Sequence, residues 1–153
     1  MKIFLDAEFT DFQNSKLISA GFVTDAGEEL YVELTDTWRE KDCSTFVLDT
    51  VLPLLEGGDV AMTEAEAAGW LRTWIESFGQ PVLIISDAPQ LDWPLITHLL
   101  RDGWPKNLAT HCASMLVDDY DYFEENPDAT RHHALHDARA FRTGYQRLFG
   151  GVT

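Results

Sequence analysis

Cysteine and basic side chains are both scarce in this chain. Two cysteines, Cys43 and Cys112, are spread over 153 residues. A stapled disulfide framework needs more, so both are expected as free thiols in a reducing compartment. Lys and Arg together number 11 against 26 Asp and Glu, a formal net charge of -15. Such a balance disfavours anionic membrane surfaces, and a nucleic-acid partner would normally demand a basic footprint. One arrangement removes that last objection: clustered carboxylates that hold divalent cations reverse the local sign of charge. No apolar run reaches membrane-spanning length, and the start, MKIFLDAEF, lacks the pattern of a secretory leader. The expectation is a cytoplasmic protein with no membrane partner.

What is present suits one folded domain over 1–153. Hydrophobic residues make up 45% and charged residues 24%, ordinary globular usage in a chain long enough for a real core. Residues 2–9, 16–24 and 29–34 read as three strands joined by short turns, an antiparallel meander. Phe46, Val47, Val51, Leu52 and Leu55 then recur at helical spacing and stop at Gly57-Gly58. A stronger helix starts at Thr63, whose capping-box partner is Glu66, and ends at Gly79. PVLIIS, 81–86, is a continuous apolar run, the mark of a buried parallel strand. A helix at 91–103, a strand within 107–114, an irregular acidic run at 117–130 and a helix from about 133 to 149 complete the pattern. The order predicts an α/β sandwich: a mixed central sheet, with the meander plus parallel strands, flanked by helices.

Asp6 and Glu8 are two apart on the first predicted strand, so their carboxylates point to one face. Taken alone, the pair could be a strand end emerging into solvent. Asp92 falls where the 81–86 strand hands over to a helix, a usual place for site residues in α/β sheets. Taken singly it reads first as an N-cap or first-turn helix acid, and Asp87 competes with it. Asp137 lies among small and apolar residues in ALHDARAF, where a buried carboxylate needs a cation: Arg139, Arg142 or a metal.

The stretch RHHALHDARAF, Arg131 to Phe141, concentrates three histidines and two arginines in an acidic chain. A spacing of four puts His133 on the face of Asp137 if both are helical, whereas His132 faces it only from a loop before the helix. His136 reads as a packed or solvated helix position, and His98 and His111 as structural or surface residues. Arg131, Arg139, Arg142 and Arg147 accompany a single acid between 131 and 149. They form a potential basic patch for a phosphate backbone, or partners for the acidic run at 118–128.

DAEF, LISAGFV, QLDWPLI and HHALHDA, in that order and spacing, resemble the DnaQ-like 3′–5′ exonuclease superfamily of the DEDDh type. Within it the chain is most similar to the small bacterial 3′–5′ exoribonuclease-like subfamily, relatives of ribonuclease T and oligoribonuclease. The resemblance runs from Asp6 to Ala138. It implies a ribonuclease H-like fold and a two-metal-ion exonuclease acting on 3′ ends of single-stranded nucleic acid, RNA favoured over DNA. Asp6, Glu8, Asp92 and Asp137 would hold two Mg²⁺ or Mn²⁺ ions, and His132 would be the general base. Phe9, Arg131 and Arg139 are the candidate substrate contacts, with a core role for Phe9 equally open. Relatives of this size often work as homodimers. The second motif departs from the usual pattern, reading SDAPQLD in place of a His-Asn pair followed by Phe-Asp. Two other readings compete. DAEFT superficially matches an aspartyl-nucleophile phosphatase, which would need a second Asp and a helical crossover after the strand. A nuclease-like module that binds without cleaving is the other.

Overall fold

The computed structural model describes residues 1–150; the remainder of the domain expected over 1–153 lies outside the described residues. Six strands form one sheet: β1 (Lys2–Phe9), β2 (Leu17–Thr24), β3 (Glu29–Leu34), β4 (Ala61–Met62), β5 (Val82–Ser86) and β6 (Leu108–Ser114). Their spatial order is β4-β3-β2-β1-β5-β6. The β1–β2 and β2–β3 pairs are antiparallel, the expected meander. β5 joins β1 in parallel, and β6 joins β5 in parallel. Among the described residues four α-helices accompany the sheet: α1 (Glu64–Ser77), α2 (Pro89–Leu99), α3 (Tyr120–Glu125) and α4 (Ala134–Phe149). Thr63 accepts from the Glu66 N–H while Glu66 reaches back to Thr63, so the capping box forms as its residue types predict. No helix among the described residues is long and apolar enough to cross a membrane.

Strand alternation divides β1 between two cores. Ile3, Leu5 and Ala7 enter the larger core with Leu71, Ile75 and Ile96 of α1 and α2. Phe4 faces the other way and meets Phe141 of α4 edge-on, ring centroids 5.4 Å apart. Asp6 and Glu8 continue the Phe4 face, so the two acids emerge beneath α4.

Two expectations need correction, and one short strand was not expected. The predicted helix over 44–58 is instead a π-helical turn, Val47–Val51, followed by a 3₁₀ turn, Leu52–Leu54. Pro53 carries no N–H and clashes with the preceding turn, which prevents a regular α-helix there. The run at 117–130 contains the short helix α3, and the two-residue strand β4 pairs with β3. Neither is long enough to leave a periodic pattern.

Gly21 decides how closely α4 can approach. A Cβ at this position of β2 would lie 2.5 Å from the Leu135 Cα of α4, a distance no real Cβ tolerates. Gly21 pairs with Asp6 on one side and Tyr31 on the other, so the first turn of α4 rests on the sheet between those residues. Gly144, further along α4, makes similar room for the chain at 117–118, where a Cβ would lie 2.6 Å from the Asp118 carbonyl oxygen. Replacing Gly21 by Ala is expected to push α4 outward and cost about 2–3 kcal/mol of stability, as overpacking against backbone does. Urea unfolding with an unchanged m-value would measure it.

Candidate active site

A cleft of about 210 Å³ opens at the C-terminal end of β1. Asp6, Glu8, Asp87, Asp119, Arg131, His132 and Asp137 supply its polar lining, and Leu5, Val117 and Phe141 its apolar floor. Asp6 and Glu8 arrive on β1 and Asp137 in the first turn of α4. Asp92 sits behind them in the first turn of α2, only 3% exposed. Its carboxylate accepts a short hydrogen bond from the Ser86 hydroxyl, which also accepts from the Ala88 N–H at 3.0 Å. The departure from the usual second motif therefore has a visible use: Ser86 orients Asp92. Asp87, the competing acid, is at the mouth of the same cleft.

The choice between the histidines turns on one backbone angle. His132 has φ 67°, the left-handed region that side-chain-bearing residues seldom occupy. The turn brings its N–H to the Asp137 Oδ2 at 2.7 Å. It also brings its imidazole toward the acids: ligand atoms of Glu8, His132 and Asp137 all lie within 4.8 Å of one another. His133 begins α4 as its N-cap and turns the other way, its Nε2 3.0 Å from Glu56 Oε1. The helical spacing that would have aligned His133 with Asp137 does not apply, because His133 precedes the first helical turn. His136 packs face to face with His133, and His98 and His111 are exposed.

The proposed substrate contacts divide. Arg131 lines the cleft, held to Asp119 at 3.2 and 3.3 Å with its guanidinium 4.4 Å above the Phe123 ring. Arg139 is not brought there: it forms two 2.7 Å bonds with Glu29 on β3. Two residues beyond Asp137 on a helix is about 200° of rotation, which turns Arg139 away from the acids. Phe9 follows a register shift at Glu8/Phe9 and meets Phe12 edge-on at 5.6 Å rather than lining the cleft. The potential basic patch is also divided among carboxylate and carbonyl partners. Arg147 pairs with Asp121 and Glu125, and Arg142 donates to the Asp25 carbonyl. Pairing with the acidic run thus describes Arg131 and Arg147. Two cleft neighbours carried no local signal. Phe46 sets its ring edge-on to His132 at 5.0 Å, and Asp119 sits within the run read as irregular.

Burial sets the electrostatics. It raises the Asp6 carboxyl well above the usual range, with Asp137, Glu8 and Asp92 adding repulsion. It pushes Glu8 up to about 8, again helped by Asp137 and Asp92. Asp92 rises to about 7 through burial, against the Ser86 bond, and Asp137 to about 7 through burial, against the His132 N–H and Arg131. His132 is lowered by burial and by Arg131, which favours the neutral imidazole. Among the described residues, no Lys or Arg forms an ion pair with Asp6, Glu8, Asp92 or Asp137. An oxygen-rich set of buried, mutually repelling carboxylates with one imidazole fits a hard divalent cation such as Mg²⁺ or Mn²⁺.

No protein-family model matches the chain, and no curated protein matches it by sequence. Solved structures do. The chain is similar to S. pombe Pop2p in its Mg²⁺- and Mn²⁺-bound form, with a TM-score of 0.60 at 15% identity over 99% of this chain and 86% of that one. The likeness establishes the fold, a ribonuclease H-like α/β sandwich with a mixed six-stranded sheet.

The raised carboxyls hold protons more tightly in the folded chain than in the unfolded one, where carboxylates titrate near about 4. Metal-free protein is therefore expected to lose stability as the pH rises from about 4 through 7 to 8, and to regain it on acidification. A cation needs the ionised forms, so millimolar Mn²⁺ should raise the melting temperature more at pH 8 than at pH 6. Asp6→Asn should melt above the metal-free wild type at pH 8 and lose the Mn²⁺ shift. Scanning calorimetry at the two pH values measures both.

Proposed function

We propose that this chain is a divalent-metal-dependent 3′–5′ exonuclease that hydrolyses the terminal phosphodiester of single-stranded nucleic acid, RNA in preference to DNA. The observation that carries the reading is convergence. Asp6, Glu8 and Asp137 line one cleft with His132, Asp92 lies buried behind them, and among the described residues no Lys or Arg forms an ion pair with any of the four acids. The bound metals of Pop2p, whose fold this chain shares, support it further. Asp6, Glu8, Asp92 and Asp137 would hold the ions, which when bound supply charge neutralisation, a more acidic water and stabilisation of the attacking and leaving oxygens.

The chain's own residues would do the rest. His132, whose imidazole is tilted toward the neutral form by burial and by Arg131, is placed to accept a proton from the attacking water. Asp137 holds the His132 loop through its N–H, and Ser86 holds Asp92. Arg131 at the cleft wall can exchange Asp119 for a phosphate oxygen. The phosphatase reading loses its support at β1, because the strand leads into an antiparallel neighbour and not into a helical crossover.

The test is a 5′-labelled RNA or DNA oligomer incubated with Mn²⁺, Mg²⁺ or chelator. A ladder shortening from the 3′ end, absent with chelator, is expected, with Asp6→Ala and His132→Ala each slowed at least about 100-fold. Unchanged oligomers of both kinds would sink the reading and move attention to binding without cleavage. Most arginines here already have anionic or carbonyl partners. The salt dependence of KM should therefore be shallow, a log–log slope near 0.7 in magnitude for about one phosphate contact. A slope of several units would show a basic track elsewhere on the surface.

A further inference from the structure

Across Gly21 from the acids lies a second polar assembly that the proposed chemistry does not use. Glu33 of β3 is 3% exposed, and no ion pair involves it among the described residues. It accepts from the backbone N–H of Glu56 at 2.6 Å, from that of Gly57 at 2.9 Å and from the Tyr31 hydroxyl at 2.8 Å. Gly57 and Gly58 have φ of 67° and 62°, the left-handed turn that lets the chain close around this carboxylate. Glu56, so fixed, places its own carboxylate 3.0 Å from His133 Nε2. The His133 ring is clamped between Tyr31 at 4.6 Å and His136 at 4.1 Å.

This assembly is costly by itself. Glu33 is a buried carboxylate, and His133 Nδ1 is buried with no hydrogen-bond partner. What it secures is the residue before it. His132 occupies a strained left-handed conformation that persists only where its neighbours over-determine it. The Asp137 carboxylate holds its N–H from one side. His133, locked in place by Glu56, holds its carbonyl side. The same 44–58 segment also delivers Phe46 to the His132 ring.

We propose that Glu33, Glu56 and His133 are positioning residues for His132. The chain from Glu33 through the 56–57 backbone and the Glu56 carboxylate to the His133 imidazole fixes the His132 turn, so that its ring faces Glu8 and Asp137. The role in turnover rests on the reading of His132 as the proton acceptor; the geometric claim does not.

The experiment therefore has two readouts. The first is kcat and KM on a single-stranded oligomer with Mn²⁺ for wild type, Glu56→Ala, Glu56→Gln and His133→Phe. The second is the NMR cross-relaxation between the His132 and Phe46 rings in the same proteins. Glu56→Ala removes the acceptor, and His133→Phe keeps a stacked ring while deleting Nε2. Each is expected to lower kcat about 10-fold or more, with KM and melting temperature little changed, and to weaken the His132–Phe46 cross-peak. Glu56→Gln, whose amide oxygen still accepts from Nε2, should recover most of both signals. An undiminished cross-peak in Glu56→Ala and His133→Phe overturns the proposal, as does wild-type kcat in both. If the wild type degrades no nucleic acid, the exonuclease reading falls, and the cross-peak alone decides the positioning.

Discussion

The absence of a side chain at Gly21 governs the molecule. Because the Leu135 backbone of α4 can settle directly on β2 there, the first turn of α4 lies between β1 and β3 and not above them. Asp137 is thereby lowered to the level of Asp6 and Glu8 on one side, and His133 to the level of Tyr31 on the other. The apolar contact of Phe4 with Phe141 further along the helix offsets part of the cost of forcing those acids together.

That cost is the second theme. Asp6, Glu8, Asp92 and Asp137 are desolvated and crowded by other carboxylates, and among the described residues none is in an ion pair with Lys or Arg, so each is driven toward its protonated form. A structural ion-pair network would have placed an arginine among them. The chain instead commits its arginines to other acids, Arg131 to Asp119 at the cleft wall, Arg139 to Glu29, and Arg147 to Asp121 and Glu125. Such a site is expected to cost the metal-free fold stability near neutral pH, and its oxygen-rich donor set suits a divalent cation. Strain at His132 belongs to the same pattern, since local rules are broken here and obeyed in the sheet.

Much of this was readable along the chain. The three strands of the meander, the apolar β5, the capped α1 and the late α4 each follow from periodicity or end signals. The alternation of β1 alone predicts that Asp6 and Glu8 share a face. Pro53 and the brevity of α3 and β4 mark where periodicity was silent or misleading. Resemblance, and not spacing, selected His132 over His133, because helical spacing assumes a helical backbone that His132 does not have.

The sequence by itself determined the order of elements, the paired acids of β1 and the supply of carboxylates and imidazoles, because these depend on local periodicity and composition. Only the tertiary structure decided which side chains share a cleft. Arg139 and Phe9 were as eligible as Arg131 along the chain, yet α4 turns Arg139 to Glu29 and Phe9 packs on Phe12. The contacts of Phe46 with His132 and of Glu56 with His133 bridge residues far apart in the chain. Such contacts arise from how elements dock, and no window of sequence contains both partners.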